Sequence, residues 1–130
     1  MRFLANLVKS YPITSIIIVA IWVLCLLPIP QTPLSGLTLI DKWTHIVMYL
    51  ALSLIIGYER WRNNRKRTFR AQLFFIFILP VIMGGLLEIL QATATGGRRS
   101  GEWLDFVADV SGSALALLIC ILLARCLAKD

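Results

Sequence analysis

Four apolar runs constrain this chain more than any other feature. They fall at roughly Ile13 to Leu27, Trp43 to Gly57, Leu73 to Leu90 and Phe106 to Leu127, with short polar connections between them. A single small domain in water has no interior large enough to hide four such segments. In lipid, a backbone must satisfy its own hydrogen bonds, so each run is expected to be a helix. Composition points the same way: 58 % of the 130 residues are hydrophobic and 15 % are charged, where soluble domains carry about a quarter charged residues. The expected fold is all-α, an integral membrane four-helix bundle in one domain covering 1–130, with spans near 13–28, 43–61, 71–91 and 104–126. Short connections favour an up-down order of the helices.

The first two runs are short for the roughly 20 residues that a bilayer core requires. Extending the second to Tyr58 and Trp61 helps, because aromatic rings suit the interface. Pro28, Pro30 and Pro33 are expected to end the first helix. Pro80 lies inside the third run and is expected to kink it by removing one backbone hydrogen bond. Arg2 and Lys9 before the first run resemble a signal peptide, but no small-x-small cleavage site follows, so the segment reads as a retained span. Cys25, Cys120 and Cys126 show neither CxxC nor zinc spacing and read as small hydrophobes.

Lysine and arginine set the orientation. Ten of the thirteen belong to one side: Arg2, Lys9, Arg60, Arg62, Arg65, Lys66, Arg67, Arg70, Arg125 and Lys129. Three belong to the other: Lys42, Arg98 and Arg99. The positive-inside rule then puts both termini and the RWRNNRKRTFR connection in the cytoplasm. This placement explains the net charge of +6 without nucleic acid. The basic connection, 60–70, is expected to contact anionic lipid.

On that topology the remaining polar residues collect at the outer end. Asp41, Lys42 and His45 open the second helix, Glu88 and Gln91 close the third, Arg98 and Arg99 lie in the loop, and Asp105 and Asp109 open the fourth. Asp41 and His45 are four apart, as are Asp105 and Asp109, while Glu88 and Gln91 are three apart, so each pair shares a helix face. Glu102 and Trp103 read as interface residues. A charge at the membrane centre costs about 2.5 to 3.5 kcal/mol on insertion scales, so Glu88 and Asp109 are expected to face inward and pair. Gly84, Gly85 and the Gly112-x-x-x-Ala116 spacing allow close helix approach. Asp41, His45, Glu88, Asp105 and Asp109 could together form a carboxylate-rich metal site. No compact signature such as HExxH is present, so neither a metal nor another cofactor is expected.

These residues carry a family resemblance. DKWTHIVMY, Asp41 to Tyr49, resembles the DKxxHxxxY opening of the VanZ-like family of small bacterial membrane proteins. LLEILQ, Leu86 to Gln91, resembles its ELxQ segment. Arg99 followed by Asp105 resembles its R-x5-D pair, and Asp109 with Gly112 resembles its N-x-x-G ending. The match runs from roughly Ile40 to Leu118 in the family's order. It implies a multi-pass protein of the bacterial cytoplasmic membrane, and an association with resistance to glycopeptide antibiotics, chiefly teicoplanin. By position, the implied site residues are Asp41, Lys42, His45, Tyr49, Glu88, Gln91, Arg99, Asp105 and Asp109. The chain departs from the pattern twice: Asp109 replaces the usual Asn, and ATATGG lacks the proline often found before the arginine.

Three functions compete. A binding module would hold a phosphorylated or glycan-bearing envelope lipid, such as a polyprenyl-linked peptidoglycan precursor, with Arg99 and Lys42 on the anionic head group. A membrane enzyme would divide acid and base roles among His45 and the carboxylates, although no nucleophile elbow or phosphatase signature is present. A structural or partner-binding protein would use the cluster only to lock its helices.

Overall fold

The computed structural model describes residues 1–27, 38–96 and 102–128, and every described element is helical. We number them α1 (Arg2–Ser10), α2 (Pro12–Leu26), α3 (Thr38–Arg62), α4 (Phe69–Ala94) and α5 (Trp103–Leu127). Three helices, α3, α4 and α5, are long and apolar enough to cross a membrane; the count is four if the bent pair α1–α2 forms one span. Pro28, Pro30, Pro33, Arg98, Arg99 and Lys129 lie outside the described residues.

Neighbouring contacts give the direction of each helix. Lys42 meets Asp105, His45 meets Asp109, and Gly57 lies against Cys120. The sequence offset stays at 63 to 64 for the two hydrogen-bonded pairs, so α3 and α5 run parallel. The end of α3 meets the start of α2 through Glu59, and the end of α2 meets the end of α4 through Gln91. Thus α2 and α4 run opposite to α3 and α5. The most extensive packing is between α3 and α5, and α4 rests mainly on α5.

Apolar and polar faces are reversed relative to a water-soluble protein. Ile16, Val19, Val47, Ile82, Leu86 and Leu118 point outward, while His45, Ser53, Asp105, Asp109 and Ser113 are buried. Lipid tails are as apolar as leucine, so burying more leucine gives little; close approach and interhelical polar contacts hold such helices together. Gly112 provides the closest approach. A Cβ there would come within 2.4 Å of the Ile46 carbonyl oxygen. Around it, Ile21, Cys25, Tyr49, Leu52, Ile56, Ile76, Leu87 and Ala116 form the apolar core.

Three features correct the sequence-based picture. First, α3 is not a short span: it has 25 residues because the helix continues through Asp41 and Lys42 at one end and Arg60 to Arg62 at the other. Second, α4 passes through Pro80 as one run from Phe69 to Ala94, with altered winding before the proline. The turns before it, Leu73–Ile78, are wound as π-helix, and the Leu79 N–H donates to the Phe74 carbonyl. A proline ring clashes with the carbonyl four residues earlier, and a wider turn moves that carbonyl away. Third, Arg2 and Lys9 do not merely precede the first span. They belong to α1, which meets α2 at 101° and exposes Phe3, Leu4, Leu7 and Val8.

Candidate functional site

At the end of the assembly where α3 begins, three helices bring ionisable side chains together. Lys42 of α3 donates to Glu102 Oε2 at 2.6 Å and to Asp105 Oδ1. One turn deeper, His45 Nδ1 lies 2.8 Å from Asp109 Oδ1. The other ring nitrogen, Nε2, lies 3.9 Å from Asp105 Oδ2, too far for a hydrogen bond. Glu88 enters from α4 and accepts from the Glu102 backbone N–H at 2.9 Å. That contact pins the start of α5 to the last turns of α4. Carboxylates near the start of α5 also suit the positive end of its dipole.

The local sequence explains this convergence. Asp41, His45, Tyr49 and Ser53 recur every four residues along α3, and Asp105, Asp109 and Ser113 do so along α5. That spacing keeps each series on one face. Because α3 and α5 run parallel and in register, the two series descend together. Gly84 on α4 makes room for Asp109: a Cβ there would lie 2.7 Å from Asp109 Oδ2.

The expected site residues divide as follows. Lys42, His45, Glu88, Asp105 and Asp109 are brought together, with Asp41 exposed at the rim. Tyr49 lies one turn beyond His45 on the same face of α3 and is fully buried. Gln91 is used elsewhere, because its Nε2 donates to the Cys25 carbonyl at 2.8 Å and ties α4 to the end of α2. Arg99 lies outside the described residues. Three participants escape a reading of the sequence. Glu102 is a direct partner of Lys42 rather than an interface residue alone. Ser53 and Ser113 continue the two stripes, and the four-residue spacing is the signal that could find both.

Among the described residues, the hydroxyls of Tyr49, Ser53 and Ser113 are buried without a hydrogen-bond partner. Two sets of side chains offer ligand atoms within 4.8 Å of one another: Asp41, His45 and Asp105, and His45, Glu88 and Asp109. A different environment occupies the opposite end. There a cavity of about 320 Å³ is lined by Gly57, Trp61, Ile76, Cys120 and Leu123, with Arg65, Lys66 and Arg67 at its edge. Also at that end, Glu59 is fully buried and accepts from the N–H groups of Ile13 and Thr14, both at 3.0 Å.

The class defined by these features is an all-helical protein with several membrane-length helices and an acid-rich polar cluster between them. No family model, no curated protein and no solved structure matches the chain.

Proposed function

We propose that this chain is a VanZ-like multi-pass protein of the bacterial cytoplasmic membrane whose polar end faces outward and binds the head group of an envelope lipid. The reading has four spans packed side by side, with both termini in the cytoplasm. One observation carries it. Lys42 and His45 meet Asp105 and Asp109, 63 and 64 residues away, between apolar helices. Those are positions on which the family resemblance rests, and ionisable residues at membrane depth are functional by default. The excess of lysine and arginine on one side supports the orientation. So does α1, which turns at 101° to α2 and has an exposed apolar face beside Arg2 and Lys9, the form of an interfacial helix.

The chemistry favours a head group with both a phosphate and hydroxyls. Lys42 has three N–H donors and uses two, on Glu102 and Asp105; the third can reach a phosphate oxygen. The exposed carboxylates of Asp41 and Glu102 can accept hydrogen bonds from sugar hydroxyls. A polyprenyl-linked peptidoglycan precursor has this combination. At the opposite end, Arg65, Lys66, Arg67 and Arg70 are exposed and suit an anionic lipid surface.

A second reading has its own observation. Lys42, His45 and Asp109 are already paired across helices, which is what an interhelical lock requires. Lipid mass spectrometry of the purified protein, melting temperature in detergent, and teicoplanin susceptibility of an expressing host separate the two. Recognition predicts that Lys42→Ala and Arg99→Ala lose the co-purifying lipid and the susceptibility change while remaining folded. Unchanged lipid and susceptibility in both folded variants rejects recognition. A lowered melting temperature with lipid retained selects the lock, and turnover of a lipid-linked substrate by the wild type would make the protein an enzyme.

A further inference from the structure

We propose that His45, Glu88 and Asp109 hold one divalent transition-metal ion between α3, α4 and α5. One ligand atom from each lies within 4.8 Å of the other two. Neighbouring ligand atoms around an ion with bonds of about 2.1 Å stand about 3 to 3.5 Å apart, so side-chain movements of about an ångström bring the three to one ion. All three side chains are buried, with 3 %, 9 % and 1 % of their surface exposed. One imidazole with two carboxylates suits zinc or manganese, and the imidazole weighs against calcium and magnesium.

A group of acids would not by itself indicate an ion. Tyr49 supplies the independent observation. It stands one turn beyond His45 on the same face of α3, and its hydroxyl is buried with no hydrogen-bond partner among the described residues. A buried hydroxyl left unpaired is costly. A water or other oxygen bound to the ion would accept a hydrogen bond from it. Charge points the same way. Lys42 answers Glu102 and Asp105. For Glu88 and Asp109, the described residues supply His45 and the Glu102 N–H. A dication balances those two carboxylates and leaves the imidazole neutral.

The surroundings suit such an ion. His45 Nδ1 and Asp109 Oδ1, now 2.8 Å apart, would share the ion in place of a proton. The Nε2–H would then turn towards Asp105 Oδ2, now 3.9 Å away. A carboxylate behind a ligating histidine fixes its tautomer and ring orientation. Lys42 in turn holds Asp105 in place. The ion does not depend on lipid recognition at the same end.

The test uses the full chain in detergent, stripped with chelator and then given manganese or zinc alone. Elemental analysis of the folded peak should give one ion per chain, with calcium unable to displace it. His45→Gln, Asp109→Asn and Glu88→Gln should each weaken binding at least tenfold, while Thr93→Ala should leave it unchanged. If the ligand variants aggregate, cobalt in the wild type decides: X-ray absorption should show one imidazole among oxygen ligands. Substoichiometric metal in folded wild type, a cobalt site without imidazole, or binding unchanged in His45→Gln and Asp109→Asn each overturns the proposal. Because the readout is metal content and not lipid, failure here leaves the lipid reading intact, and lipid loss with metal retained leaves the ion intact.

Discussion

At the Arg60 end of the assembly, buried polar side chains meet main-chain groups; at the Lys42 end, most of them meet other side chains. Glu59 takes the N–H groups of Ile13 and Thr14, Asn63 takes the Ser10 carbonyl, Arg60 takes that of Lys66, and Gln72 takes that of Arg67. Each satisfies a helix end or a turn that would otherwise leave unpaired groups in an apolar setting. These contacts give the residues a structural role, although the Thr14 hydroxyl and the Gln72 side-chain oxygen at this end are buried with no hydrogen-bond partner among the described residues. Lys42, Asp105, His45 and Asp109 satisfy one another instead. Removing that group and packing apolar residues in its place would leave no backbone atom unpaired. Glu88 partly crosses this line, since one oxygen serves the Glu102 N–H, and Gln91 crosses it fully. The contrast teaches that backbone capping accounts for the Arg60 end, whereas the Lys42 end requires a further reason for its acids.

The largest expected effect lies at the capping end. Glu59→Ala removes two hydrogen bonds to a buried carboxylate, and such bonds contribute about 1.5–3 kcal/mol each. Its melting temperature in detergent should fall the furthest of the variants considered. Glu59→Gln keeps an acceptor oxygen and should recover part of the loss. Metal content per folded chain should not change in either. Metal loss in a folded Glu59 variant would join the two ends functionally and break the contrast.

Next comes Gly112→Ala, where the new methyl group meets the backbone of Ile46 and Leu50 at 2.4 and 3.0 Å. Backbone cannot rotate away as a side chain can, so α3 and α5 must part. Overpacking of this kind costs about 1–3 kcal/mol, and because both ends depend on this seam, stability and metal binding should fall together. Gly84→Ala should separate them. The three heavy atoms nearest its methyl group all belong to the Asp109 side chain, with Oδ2 at 2.7 Å. The carboxylate must swing aside, so ion affinity should drop at least tenfold, on the scale of losing an orienting partner. The melting temperature should move less than in Gly112→Ala. Titration calorimetry beside thermal melting checks both.

The sequence discloses these features unevenly, for physical reasons. Hydrophobic runs report the environment of a whole segment, so the helical character of α2 to α5 is legible. Four-residue spacing reports a helix face, so Asp105 and Asp109 can be paired from their spacing alone. Helix winding depends on neighbours, which hides the π-helical turns before Pro80. The amphipathic pattern of α1 is masked because Arg2 and Lys9 also serve as topology signals for the run that follows. Glu59 falls in the last turns of the expected second span, just before RWRNNRKR, where one acid beside basic residues shows no partner. Its signal is indirect: Pro12 at the start of α2 leaves the next N–H groups in need of an acceptor. Gln91 shares an approximate face with Glu88, but a three-residue step rotates the two by about 60°, enough for Gln91 to reach α2 instead.

The smallest expected effect on folding is the sharpest on function. Tyr49 is fully buried and its hydroxyl has no partner among the described residues. Were the hydroxyl part of a protein lock, Tyr49→Phe would destabilise by about 1 kcal/mol, the usual net value of a lost hydrogen bond. With no protein partner to lose, the change should leave the melting temperature of the stripped protein within error or raise it slightly. The ion-loaded protein should behave differently. If the hydroxyl donates to an oxygen held by the metal, Tyr49→Phe should weaken ion affinity several-fold and lower the stabilisation that saturating metal provides, since a ligand that binds the folded state more weakly stabilises it less. A lower melting temperature in the stripped variant, with metal affinity unchanged, would move Tyr49 to the side of Glu59 and Gln72 and make the Lys42 end a second structural lock.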